Sequence, residues 1–173
     1  MKQKQLVTQC VKHTLQEGEN ATAIAGVSLF KAYSGETPLP SVYEPCLCFI
    51  AQGRKQVMLG DAIYNFQSGQ YLAVSVDVPM VNLITQATLE KPYLLVKVDL
   101  QAALLTELLE QAALLADPAT RPARGVFTGY VDAQTQDALL RLVTLLDTPR
   151  DVLVLAQHLL YEFVENRNGE KYE

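Results

Sequence analysis

The chain has 173 residues, 49% hydrophobic and 19% charged, which is enough apolar material for one packed domain with a helical extension and excludes general disorder. Nineteen acidic against 14 basic residues give a formal charge of -5. The closest basic pairs are Lys2/Lys4 and Arg54/Lys55, so the clustered cations that bind a phosphate backbone by counterion release are missing.

No apolar run follows Lys2 and Lys4, and none elsewhere approaches the length of a membrane span. A cytoplasmic location without a membrane partner is therefore expected. Cys10 is isolated, while Cys46 and Cys48 sit two apart in a strand-like run. A disulfide between them would strain its preferred geometry, so all three are expected as reduced thiols acting as small hydrophobes.

Leu6, Cys10 and Thr14 repeat at i, i+4, as do Val7, Val11 and Leu15, which predicts an amphipathic helix over 4–16. The turn-forming run Glu17-Gly18-Glu19-Asn20 ends it. From 26 to 99 the pattern changes to short β runs punctuated by Gly and Pro: 27–33, 46–52, 55–59, 62–66, 70–75, 78–83 and 93–99. Pro38, Pro40 and Pro45 separate the first two, where no ladder hydrogen bond is needed.

Gly60-Asp61 is a two-residue connection of the kind that type I′ or II′ turns form. It predicts a hairpin in which Leu59 faces Ala62, Val57 faces Tyr64 and Lys55 faces Phe66 on a core face. Met58 then meets Ile63, and Gln56 meets Asn65, on the other. Gly53 and Gly69 mark neighbouring corners. Strands so short and so regularly spaced fit a meander closing into a barrel or sandwich.

After Asp99 the period becomes helical. Leu104, Leu105, Leu108, Leu109 and Leu115 predict a helix over 101–116, stopped by Asp117-Pro118. A loop to about residue 130 follows. Asp132 is placed to cap a second helix through 146, with Leu139, Leu142, Val143 and Leu146 on one face. Thr148-Pro149 starts a third. On it, Val152, Leu155, Leu159 and Phe163 form one apolar stripe, and Leu153, Ala156, Leu160 and Val164 another. A helix from a second subunit is one natural cover for so wide a face, and burial within the monomer is the alternative. Candidate dimer residues are Leu142, Leu146, Leu155, Leu159 and Phe163. The polar tail from 165 is expected to fray.

Several chemistries lack their residues. The two histidines, His13 and His158, both fall on predicted helices, whereas a small β-barrel metalloenzyme needs two or three imidazoles projecting from strands. Nothing in the spacing brings either histidine to a nucleophile, and there is no P-loop or Gly-x-Gly-x-x-Gly. Cys46 and Cys48 alone make a weak soft-metal site. No metal or other cofactor is expected.

Lys97 and Asp99 share a strand face with Tyr93 and Leu95. They read either as a polar contact at a barrel mouth or as an exposed pair of little energetic weight. Tyr71, Ala73 and Ser75 form a mixed face suited to a small-molecule pocket. Which face points inward is not set by the alternation. Candidate pocket residues are Cys48, Ile50, Tyr71, Ala73 and Lys97.

Pro45-Cys46-Leu47-Cys48-Phe49-Ile50-Ala51-Gln52-Gly53, Val57 to Gly60-Asp61, Tyr64, Gly69-Gln70-Tyr71-Leu72 and Val74-Ser75-Val76-Asp77-Val78-Pro79 together resemble the N-terminal domain of AraC-type bacterial transcription regulators. The likeness continues through Lys91-Pro92-Tyr93, Asp99-Leu100 and Thr148-Pro149-Arg150-Asp151, covering about 20–165. Its strength lies in the order and spacing of the segments, not in any one of them.

The resemblance implies an α+β fold: a cupin-like antiparallel β-barrel with an N-terminal helix and C-terminal helices. The expected division is an N-terminal helix over 1–20, a barrel over 21–100 and a helical dimerisation region over 101–173. The expected role is sensing and dimerisation, with a homodimer and a small-molecule or peptide effector as partners and no catalysis. In the family a C-terminal helix-turn-helix unit binds promoter DNA. No such unit appears in this sequence, so DNA binding is expected only through it. The alternatives are a stand-alone small-molecule-binding cupin protein and a cupin-type enzyme.

Overall fold

The computed structural model describes residues 1–35, 38–100 and 125–166, and the side chains of these except 127 and 161–166. The helix expected over 101–116, its Asp117-Pro118 stop and the tail beyond 166 lie outside the described residues. Helix α1 (Lys2–His13) is followed by β1 (Gly18–Ala21), β2 (Val27–Ala32), β3 (Leu39–Tyr43), β4 (Cys46–Gln52), β5 (Arg54–Leu59) and β6 (Ala62–Gln67). Then come β7 (Gln70–Val74), β8 (Val78–Gln86), β9 (Tyr93–Asp99) and β10 (Val126–Tyr130). Helix α2 (Ala133–Thr144), a 3₁₀ turn (Leu145–Asp147) and α3 (Pro149–Asn166) complete the described elements. No helix among the described residues is long and apolar enough to cross a membrane.

The strands form two antiparallel sheets, one of six strands in the order β1-β2-β9-β4-β7-β10 and one of four in the order β3-β8-β5-β6. Among the described residues the hydrogen bonding makes no closed ring, so the predicted shell is a sandwich with an apolar interior. Nor is it the predicted meander: among the described strands only β1–β2 and β5–β6 pair as sequence neighbours. The glycine corners explain this. Gly53 (φ +91°) and Gly69 (φ +86°) each turn the chain from one sheet to the other, so most pairing is non-local. The corners also hold each other, with Ser68 N–H donating to Gly53 O at 3.2 Å and Gly69 N–H to Ile50 O at 3.1 Å.

The β5–β6 hairpin has the predicted register, from Leu59 opposite Ala62 to Lys55 opposite Phe66. Gly60 supplies the positive φ (+57°) that a primed turn needs at its first central position. Val57, Leu59, Phe66 and Lys55 are buried, as a core face requires.

Two apolar layers result. One fills the space between the sheets, with Cys46, Cys48, Ile50, Leu72, Val74, Tyr93 and Leu95 meeting Val57, Leu59, Phe66, Val78 and Met80. The other lies on the outer face of the six-stranded sheet. There Leu47, Phe49, Ala51, Leu94, Val96 and Val98 pack with Leu6 and Cys10 of α1, Leu139 and Leu142 of α2, and Val152 and Ala156 of α3. Full burial of each large aliphatic side chain is worth about 1.5–3 kcal/mol, so this layer seats the helices.

Of the two predicted stripes on α1, only Leu6, Cys10 and Thr14 are buried, while Val11 and Leu15 are exposed. Lys31 Nζ donates to Thr14 O (2.9 Å), satisfying a carbonyl at the helix end where a cation is favoured. Polar contacts then tie α1 to the C-terminal region: the ion pairs Lys2–Asp137 at 2.8 Å and Lys12–Asp147 at 2.6 Å, and the hydrogen bond His13–Asp147 at 2.9 Å. Asp132 caps α2 as predicted, its side chain accepting from Thr135 N–H.

Candidate functional site

Strand β4 is buried on both faces because the sheet it centres lies between the interior and the helices. Cys46, Cys48 and Ile50 point inward; Leu47, Phe49 and Ala51 point to the helices. Pairing carries this division across the sheet. Cys48 is opposite Leu72, which is inward, and Phe49 is opposite Tyr71, which packs on the helical side with ring centroids 6.2 Å apart.

The five candidate pocket residues therefore do not share one chamber. Cys48 and Ile50 line the interior. Lys97 lies opposite Cys48 on the same face of β9, and its ammonium reaches Asp99 (3.5 Å) and Glu19 (3.7 Å). Tyr71 and Ala73 belong to the layer beneath the helices. The mixed face of β7 is thus its helix-packed face.

A polar cluster that was not singled out lies inside the sandwich. Lys55 of β5 is only 4% exposed. Its Nζ donates to Tyr43 Oη at 3.2 Å and to Asn82 Oδ1 at 3.5 Å, and stands 5.4 Å from the centroid of the Tyr43 ring. Tyr43 Oη donates to Asn82 Oδ1 at 2.9 Å. Tyr93, 2% exposed, turns its hydroxyl toward Lys55, and apart from Lys55 this oxygen has no hydrogen-bond partner among the described residues. Burial works against the Lys55 charge, but Tyr93, Tyr43 and Cys48 outweigh it and hold the ammonium above the usual lysine range. Burial raises both phenols, against the pull of the Lys55 charge. One signal in the sequence pointed here: Lys55 is a charged residue on the otherwise apolar face of a well-defined hairpin.

Cys46 Sγ and Cys48 Sγ are 3.8 Å apart and both buried. Their mutual hydrogen bond, with burial added, holds the Cys46 thiol above its ordinary value, and the same bond pulls Cys48 down. Among the described residues, no group of three or more His, Cys, Asp or Glu is placed to hold a metal ion. His13 contacts Asp147 on the helical side, and His158 is exposed on α3.

The candidate dimer residues also divide. Leu142, Leu146 and Leu159 are buried within the chain, because the covered face of α3 is Val152, Ala156, Leu159 and Leu160, which straddles the two predicted stripes. Leu155 is 44% exposed, and its neighbours in sequence Leu153 (90%) and Val154 (75%) are more so. The Phe163 side chain lies outside the described residues.

Two antiparallel sheets enclosing an apolar interior, with one sheet backed by helices, define a cupin-like regulatory fold. A family model described as AraC-type transcriptional regulator N-terminus matches residues 23–165, and the chain belongs to that family. It is a regulatory sensing domain of the AraC type. No curated protein matches it by sequence. Among solved structures, ToxT from Vibrio cholerae is similar at 7% identity over 85% of this chain and 58% of that one, with a TM-score of 0.51. ToxT of strain SCE256 with a bound unsaturated fatty acid matches at 8% identity, 84% and 55% coverage and a TM-score of 0.51. ToxT of Vibrio cholerae O395 bound to (E)-4-(8-methylnaphthalen-1-yl)but-3-enoic acid matches at 8% identity, 82% and 57% coverage and a TM-score of 0.50. At these identities the likeness concerns the fold. The chain spans less than two thirds of the length of ToxT.

Proposed function

We propose that this domain is the non-enzymatic input half of a transcription regulator. A small molecule enters the space between the sheets, and the change in packing passes through the six-stranded sheet to α2 and α3. These helices contact a second copy of the chain and orient a DNA-binding unit linked to it. One observation carries this reading: a single layer of strand separates the interior from the helices, with Ile50 on one side and Phe49 on the other. The similarly folded ToxT, solved with an unsaturated fatty acid bound, supports a small-molecule effector. Switching requires a coupling of only a few kcal/mol between the two faces.

The exposed trio Leu153, Val154 and Leu155 is the surface assigned to the subunit contact. Sedimentation of the chain at tens of micromolar tests pairing. A dimer is expected, and replacing Leu153 and Leu155 with Asp should yield a folded monomer. A wild-type monomer removes the pairing. Hydrogen exchange tests the coupling: Ile50→Ala should change protection in α2 and α3, and unchanged helices would remove the transmission.

A further inference from the structure

We propose that the interior holds the carboxylate of a monoanionic organic ligand, bound by Lys55 Nζ and Tyr93 Oη, with its apolar body between the sheets. This rests on the reading of the interior as an effector site and names the ligand's chemistry. Lys55 and Tyr93 both project into the space between the sheets, one from each sheet. Among the described residues no carboxylate lies within salt-bridge distance of Lys55 Nζ, whose partners are a phenol and an amide oxygen. A buried cation is ordinarily paired, because leaving it alone forfeits its hydration without return. The Tyr93 hydroxyl beside it is buried too, and its proton finds no acceptor among the described residues. A single acceptor atom carrying negative charge would satisfy both donors.

The surroundings set the class. Val57, Leu59, Met80 and Leu95 pack in the same layer between the sheets, so the remainder of the ligand is apolar. One cation and few donors match a single negative charge. A phosphate ester, strongly hydrated and close to dianionic, needs more donors than these. The cluster also tolerates loss of the lysine, because Tyr43 and Asn82 already bond to each other at 2.9 Å. Tyr93, Tyr43 and the Cys48 thiol are the internal rivals for the role of counter-anion.

The test uses the whole chain with decanoate, 4-phenylbutyrate, their primary amides and sodium bromide, followed by thermal shift and calorimetry. The acids should bind and raise Tm, the amides and bromide should not. Lys55→Met should weaken the acids roughly ten- to hundred-fold, the loss of one charge-assisted hydrogen bond, and Tyr93→Phe should weaken them less. Without ligand, Lys55→Met should melt no lower than wild type, since Tyr43 and Asn82 keep their own hydrogen bond when the lysine is gone. Amides binding as well as acids would overturn the carboxylate assignment while leaving the effector chamber standing. Bromide competing equally would reduce the cluster to an inorganic anion site and overturn it too. A lower Tm for ligand-free Lys55→Met would make Cys48 or another internal group the counter-ion. Binding of none of the probes would remove the carboxylate and weigh against the chamber itself.

Discussion

Phe49 and Ile50 are consecutive residues of β4 that belong to different cores: Phe49 lies beneath the helices beside Tyr71, and Ile50 lies between the sheets. The alternation of a strand makes this unavoidable, and here both faces are covered. Phe49 is 1% exposed, so Phe49→Ala should cost about 3–5 kcal/mol of stability in a urea titration. A cost under about 1 kcal/mol would mean that the helical layer does not seat on this ring.

The parts of the fold legible in the sequence are those whose signals are local. Gly60-Asp61 alone set the β5–β6 register, and Asp132 marked the start of α2. The three strands not anticipated, β1, β3 and β10, are all sheet edges, paired on one side only. An edge strand needs little apolar alternation and admits proline, as Pro40 in the exposed β3 shows. The site was harder to read. β4 and β7 carry apolar residues on both sides, so nothing in their sequence told inward from outward, and the candidates Tyr71 and Ala73 face the helices while Cys48 and Ile50 face between the sheets. Likewise α3 is apolar around most of its circumference, which hid the position of its covered face.

Cys10 predicts an alkaline limit to stability. It is 1% exposed, and burial raises its thiol from 9.0 to about 12. Below about pH 9 both folded and unfolded chains keep the proton. Above it the unfolded chain releases the proton and the folded one does not, so stability falls with rising pH. One such group contributes a slope of up to about 1.4 kcal/mol per pH unit. Denaturant titrations between about pH 8 and 11 should show this slope reduced in Cys10→Ala relative to wild type. Identical slopes would sink the assignment.

Asp147 predicts the acid side. The hydrogen bond from Lys12, then that from His13, holds its carboxyl below the usual carboxylate value. A depressed folded pKa adds stability above the unfolded value and loses it as pH falls through the folded one. Asp147→Asn should therefore flatten the decline of Tm below about pH 4, with a small effect because the pair is open to solvent and screened by salt. At neutral pH the same variant should loosen α1, seen as faster exchange of its amides. If α1 exchange is unchanged, the contact does not hold the helix.

Gly53 and Gly69 offer a matched comparison, because both turn the chain between sheets at positive φ and differ in what surrounds them. A Cβ on Gly69 would meet nothing within 4 Å, whereas one on Gly53 would stand 2.6 Å from Gln86 O and 3.1 Å from Tyr93 Cα. Gly69→Ala should thus cost only the left-handed backbone penalty, about 1–2 kcal/mol. Gly53→Ala adds a collision with the backbone of β8 and β9, which cannot rotate away as a side chain can. It should cost clearly more and disturb the position of Tyr93. Urea titrations of the two variants decide it: equal losses would show that the Gly53 corner has room to relax, and that the close approach of β8 and β9 there is not fixed.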